Sequence, residues 1–206
     1  MTLETEIMHG VLAGEALRLY GVNTAWKVLG TCRPEEEEES AGAGGAARDF
    51  ECGAGRALAS GVADGELALA AAREVFERCG RAAGVAKVQQ AMGTCCYARA
   101  AFLLDAESAR EWYELANTHL IAALQSLQSL HGEADVDVAA CAIDLGISFG
   151  NRRRTLESRS GRRAERCREL ARAWYLKGLL IRCAVLGGDH PLSRRALFGF
   201  QAHADP

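Results

Sequence analysis

A hexapeptide near the C-terminal end, LGGDHP at residues 186–191, has the residue types of a functional loop. Adjacent glycines let a backbone approach a phosphate closely, and an aspartate beside a histidine could hold a metal ion or move a proton. A phosphate loop would also need a preceding strand and a Lys followed by Ser or Thr, and neither is present. A turn explains the same residues better. Gly187 can end one helix, Asp189 or His190 can cap the next, and Pro191 suits a first helical turn.

The other residues that often carry out chemistry are scattered along the sequence. The five histidines form no H-E-x-x-H motif and no pair with cysteine at metal-ligand spacing, and the eight cysteines contain no C-x-x-C pair. Asp135 and Asp137 flank a predicted helix start, where carboxylates stabilise the helix electrostatically. We therefore predict free thiols in a reducing compartment, no catalytic residue, no metal and no cofactor, and hence a protein that is not an enzyme.

The elements that position these residues are predicted to be helices almost throughout. Only three prolines interrupt the 206 residues, Ala, Leu, Glu and Arg fill the segments between glycines, and no alternating run of β-branched residues occurs. The fold class is therefore all-α. No apolar run reaches the roughly 18 residues of a membrane span, and the N-terminal residues have no targeting pattern. We expect no membrane partner and a cytoplasmic location, with a cytoskeletal or ciliary assembly as the alternative.

Composition divides the chain into three regions. Residues 1–34 are predicted to form an N-terminal helical segment. Residues 35–63 begin with a run of five glutamates and continue as a Gly/Ala-rich stretch, which is typical of a solvated linker. Residues 64–206 are predicted to form helical repeats. Deleting the glutamate run is accordingly expected to leave the repeats folded.

Self-comparison of the sequence supports the repeats. Residues 85–96 align with residues 138–149, and residues 132–145 align with residues 187–200, so the spacings are 53 and 55 residues. In each unit a helix runs into a glycine, passes a few polar residues and starts again. Gly93 aligns with Gly146 in the helix that follows each break.

The stretch WYLKGLLIRCAVLGGDHP resembles the tetratricopeptide repeats of the kinesin-light-chain type. The matching residues are Tyr175, Lys177, Leu179, Ile181, Arg182, Leu186, Gly187, Asp189, His190 and Pro191. The resemblance covers roughly residues 66–203 and implies a superhelical array of antiparallel helix hairpins. The spacings exceed the common 34-residue unit. We attribute the excess to a long helix from Ser108, with a Ser108 and Glu111 capping box, and to a projecting basic insert at residues 151–163.

The same resemblance implies that the first helix of each unit lines a concave surface for partner proteins. The implied residues are Lys87, Gln90, Thr94 and Tyr97 in one unit and Ala140, Ile143, Ile147 and Asn151 in the next. Relatives that grip a peptide backbone have Asn where this chain has Gln90 and Ile143. Because an isoleucine side chain cannot hydrogen bond, a broad packing surface is expected rather than a grip on a linear peptide.

Charge is distributed unevenly along the sequence. Residues 1–149 carry 11 Lys and Arg against 22 Asp and Glu, and residues 150–206 carry 13 against 5. The arginines predicted to contact partners are Arg152, Arg153, Arg154, Arg162 and Arg163. We predict a protein-binding scaffold, a subunit of a larger assembly whose partners include acidic surfaces. The alternative is a helical-repeat protein that binds nucleic acid through the basic segment at residues 151–168. A solvated charged face remains the third interpretation.

Overall fold

The computed structural model describes residues 65–103, 105–156 and 161–203. These residues form six helices and no strand, which confirms the all-α prediction. The helices are α1 (65–78), α2 (Ala82–Ala101), α3 (Ala106–His131), α4 (Val136–Leu156), α5 (Gly161–Leu186) and α6 (Pro191–Gln201). The predicted helical segment at 1–34 and the predicted linker at 35–63 lie outside the described residues.

The chain divides into two compact parts at Cys79 and Gly80. Helix α1 belongs to the first part. Its buried side chains include Leu69, Ala72 and Phe76, which are three and four positions apart and therefore lie on one face of the helix. This spacing is the amphipathic pattern expected of a helix that buries one side.

Helices α2 to α6 form the second part as sequential antiparallel neighbours. Each helix packs against the next along the chain, and the most extensive pairings are α4 with α5 and α2 with α3. Smaller contacts join α2 to α4 and α4 to α6. These three alternate helices consequently share one side of the array, which we call the α2–α4–α6 side.

The junction at residues 186–191 has the predicted structure. Helix α5 ends at Leu186, and Gly187 adopts a φ of 90°, a left-handed conformation that side chains disfavour. The Nδ1 atom of His190 accepts a hydrogen bond from the Leu192 N–H at 3.2 Å, and Pro191 is the first residue of α6. The hexapeptide is therefore a helix stop and start.

The break between α3 and α4 follows the same pattern. Gly132 has a φ of 85° after α3 ends at His131. A carboxylate oxygen of Asp135 then accepts a hydrogen bond from the Asp137 N–H at 2.7 Å, at the start of α4. The expected role of this acidic pair at a helix N-terminus is confirmed for Asp135.

The two regions expected to lengthen the units differ in detail from the prediction. The long helix is present, but it starts at Ala106. Its N-cap is Asp105, whose carboxylate accepts from the Ser108 N–H at 2.8 Å, so Ser108 lies inside the first turn and is not the cap. Of the predicted basic insert, residues 151–156 belong to helix α4 and residues 161–163 to helix α5. Residues 157–160 lie outside the described ranges.

Aligned glycines lie at close contacts between paired helices. A methyl group placed on Gly93 of α2 would lie 2.6 Å from Cγ of Leu120 in α3. A methyl group on Gly146 of α4 would lie 2.9 Å from Cδ2 of Tyr175 in α5. The two glycines align in the sequence self-comparison. Each allows its helix to pack closely against the next one, because neither site has room for a side chain.

Candidate functional site

The residues of α2 predicted to face partners are engaged within the chain. Lys87 forms an ion pair with Asp137 of α4, with Nζ 2.9 Å from Oδ2. The Gln90 amide donates a hydrogen bond to a carboxylate oxygen of Asp144 at 2.6 Å. The Thr94 hydroxyl donates to the Gln90 carbonyl at 3.1 Å, and Tyr97 is only 4% exposed. These side chains hold α2 to α4 or fill the core.

The implied partner residues of α4 also face other parts of the array. Ile143 is buried in a cluster with Tyr175 and Ala196, and Ile147 packs against that cluster. The side-chain carbonyl of Asn151 accepts a hydrogen bond from Arg154 one turn later. Ile143 therefore contributes to helix packing, as its apolar side chain favours.

Asp144 lies at the centre of the α2–α4–α6 side, and the sequence did not single it out. Burial raises the pKa of its carboxyl to about 6, although the Gln90 hydrogen bond and the charges of Arg182 and Arg195 act in the opposite direction. Arg182 is itself buried and donates to the Leu192 carbonyl at 2.9 Å. Asp144 could have been noticed in the sequence, because it is the one charged residue in the run AACAIDLGISF.

A cleft of about 410 Å³ opens between α3, α4 and α5. Its charged lining consists of Arg110, Glu114, Arg152, Arg163 and Arg166. Phe149 and Leu170 supply apolar lining beside them. We call this feature the arginine cleft. Two of its four arginines, Arg152 and Arg163, belong to the set predicted from the sequence to contact partners.

Glu114 is the only carboxylate among the described residues that line the arginine cleft. Its Oε1 atom lies 2.9 Å from Nη2 of Arg152 and 3.6 Å from Nε of Arg110. The Nε atoms of Arg110 and Arg152 are buried and donate no hydrogen bond within the described residues. Buried donors of this kind are uncommon in folded proteins and are costly to leave unpaired.

The two arginines from α5 are more exposed. Arg166 pairs with Glu169 at 2.9 Å across one turn of its own helix, an exposed contact that contributes little. Arg163 is exposed at the start of α5. The cleft thus combines two anchored arginines with two that can move toward an incoming anion.

The remaining predicted arginines lie outside this lining. Arg154 is exposed and contacts Asn151, Arg162 is exposed in the first turn of α5, and Arg153 is partly buried. Arg110 was not predicted as a site residue, because it lies on α3 and reaches the cleft only through the packing of α3 against α4. Arg166 was counted in the basic segment but was not singled out as a site residue.

Burial disfavours the thiolate form of two of the described cysteines. Burial raises the pKa of the Cys167 thiol beside the arginine cleft, although the charge of Arg152 opposes the shift. Burial also raises the pKa of Cys141. Every cysteine within the described ranges is a free thiol, and no three His, Cys, Asp or Glu side chains there are grouped to hold a metal ion. No helix in these ranges is long and apolar enough to cross a membrane.

Comparison with known proteins finds no match for this sequence among protein-family models, curated proteins or solved structures.

Proposed function

We propose that this protein is a non-enzymatic scaffold that binds other proteins through a helical array of the tetratricopeptide type. The sequential antiparallel packing of α2 to α6 is the arrangement that such arrays use. The repeat spacing and the glycine that ends α3 and α5 at corresponding points also support this assignment. Arrays of this kind present extended surfaces, and they commonly use them to bind other molecules.

The observation that carries the proposal is the exposure of large apolar side chains on the last two helices. Six of the eleven exposed large hydrophobic residues in the described ranges lie between positions 176 and 198. Leu180 is 60% exposed and Phe198 is 76% exposed. Apolar side chains in this position favour a protein contact.

The occupant we propose is an amphipathic helix from another protein, packed along the outer face of α6. Helix α6 buries Ser193 and Ala196. Phe198 is two positions from Ala196 and therefore points to the opposite side of the helix. Arg194 and Arg195 are exposed next to this face, so a helix with an apolar stripe and acidic flanks would complement it.

The test compares two surface variants of the tagged full chain. Leu197→Ser with Phe198→Ser removes the apolar outer face of α6, and Leu115→Ser with Ile121→Ser removes two similarly exposed apolar side chains from α3. Cross-linked, nuclease-treated lysates are analysed by quantitative mass spectrometry, and recovered proteins are purified and titrated against each variant. We expect a defined partner to bind wild type and the α3 variant but to lose at least about ten-fold in affinity for the α6 variant.

Two outcomes contradict this proposal. If light scattering shows that the purified chain dimerises and that only the α6 variant is monomeric, the face is covered by a second copy. If every purified partner binds the α6 variant as tightly as wild type, this face is not the binding surface.

A further inference from the structure

We propose that the arginine cleft is a second binding site and that it takes a glutamate- or aspartate-rich peptide segment of a protein partner. The inference deepens the proposed scaffold function and rests on it for the class of partner. It concerns a different surface, because the residues that line the cleft lie on α3, α4 and α5 and none of them lies on α6.

Charge gives the first argument. Four guanidinium groups line the cleft, and Glu114 is the single carboxylate among the described lining residues. Glu107 contacts Arg110 at 3.0 Å and Glu169 contacts Arg166 at 2.9 Å, but neither carboxylate lines the cleft, and Glu114 is occupied by Arg110 and Arg152. Guanidinium groups bind carboxylates through two parallel hydrogen bonds, which makes an acidic side chain a suitable ligand.

The unpaired donors give the second argument. Nε of Arg110 and Nε of Arg152 are both buried without a hydrogen bond in the described residues, and both side chains line the cleft. Both atoms lie beneath the cleft surface, so they gain an acceptor only when the two guanidinium groups turn toward a ligand carboxylate in the cleft. The free energy that the chain loses by leaving them unpaired would then favour binding.

The shape of the cleft separates a peptide from a nucleic acid. Phe149 and Leu170 place apolar surface beside the arginines, which suits a peptide in which acidic residues alternate with an apolar one. A nucleic acid requires positive charge that follows its backbone over several phosphates. Here the arginines are gathered around one cleft and do not follow an extended path.

The experiment uses the full chain and fluorescence anisotropy with three probes. They are a short fluorescein-labelled peptide of glutamates with one leucine, the same peptide with glutamine for glutamate, and a labelled single-stranded oligonucleotide of matched charge. The test variant is Arg163→Ser with Arg166→Ser, since both side chains are exposed and their loss leaves the core intact. The matched control is Arg73→Ser with Arg78→Ser on α1, two exposed arginines outside the cleft lining and outside α6, whose loss changes net charge equally.

We expect the glutamate peptide to bind saturably and the glutamine peptide not to bind. The cleft variant should weaken peptide binding by about ten-fold or more, and the α1 control by less than about two-fold. Glu114→Gln provides a change of opposite sign: it removes the competing carboxylate and should tighten peptide binding by about three-fold.

Three results would overturn the inference. Equal losses in the cleft variant and the α1 control would mean that the peptide responds only to net charge. Tighter binding of the oligonucleotide than of the peptide, with a steep salt dependence lost in the cleft variant, would make the cleft a nucleic-acid site. Absence of binding to every probe would remove the cleft as an anion site, while the α6 test of the proposed scaffold function would stand independently.

Discussion

The α2–α4–α6 side and the arginine cleft both bring charged side chains together from different helices, yet they use them differently. On the α2–α4–α6 side, Lys87 pairs with Asp137 and Gln90 bonds to Asp144, so polar groups are matched within the chain. In the arginine cleft, four arginines and one carboxylate line the walls, and the buried Nε atoms of Arg110 and Arg152 form no hydrogen bond within the described residues. Matched polar groups stabilise the array, whereas unmatched ones are suited to an external ligand.

The largest expected effect tests whether Tyr97 is a structural residue. Tyr97→Ala on the α2–α4–α6 side should lower the free energy of unfolding by about 3 kcal/mol, because it deletes a buried aromatic ring and leaves a cavity. Urea denaturation monitored by circular dichroism measures the change. Tyr97→Phe is the matched control and should cost less than about 1.5 kcal/mol, since the ring volume is kept. A loss from Tyr97→Ala as small as that from the control would show that this ring faces a partner.

At Asp144 a substitution is expected to raise the free energy of unfolding, by less than Tyr97→Ala lowers it. Because its pKa is about 6 in the folded chain against 3.8 for the ordinary group, the protonated form is favoured by folding. The stability that this group contributes is fully present below about pH 3.8 and is lost as the pH rises through about 6. Asp144→Asn keeps an acceptor for Gln90 and removes the charge, so it should raise the unfolding free energy by on the order of 1 kcal/mol at about pH 8.

The measurement for Asp144 is a series of thermal or urea unfolding curves from about pH 4 to about pH 8. The stability of wild type should fall relative to Asp144→Asn across this range. If the Asn variant is instead less stable at the upper end, attraction to Arg182 and Arg195 outweighs the cost of burying the carboxylate.

The smallest change in stability is expected for an exposed arginine of the arginine cleft. Arg163→Ser in the arginine cleft should change the unfolding free energy by less than about 0.5 kcal/mol, because the side chain is exposed. The same urea assay detects it. A loss of 1 kcal/mol or more, on the order of a buried contact, would show that Arg163 holds the array together and would remove the contrast between the two regions.

Features that depend on neighbouring residues were predictable from the sequence. The stop at Gly187, the cap at His190 and the first-turn Pro191 follow from local backbone chemistry, and the structure has all three. The start of α3 was misplaced because Asp105 and Ser108 are both capping residue types, and the sequence pattern favoured the one followed by Glu111.

Contacts between distant residues were not predictable in the same way. The Gln90 and Asp144 side chains are 54 positions apart, and their hydrogen bond depends on how α2 meets α4. The resemblance placed Gln90 on a shared face but carried no information about its partner. The arginine cleft was predictable only in part. The basic segment near Arg152 stands out in the sequence, whereas Arg110 joins the cleft only when α3 packs on α4.

Sequential packing of α2 to α6 has a kinetic consequence. Each helix has its main contacts with the helix next to it along the chain, so the loops closed during folding are short and their entropic penalty is small. We expect these helices to fold rapidly by pairing locally and then extending. During synthesis, α2 and α3 can dock before α5 has left the ribosome, and the growing chain then carries an apolar edge that each new helix covers in turn.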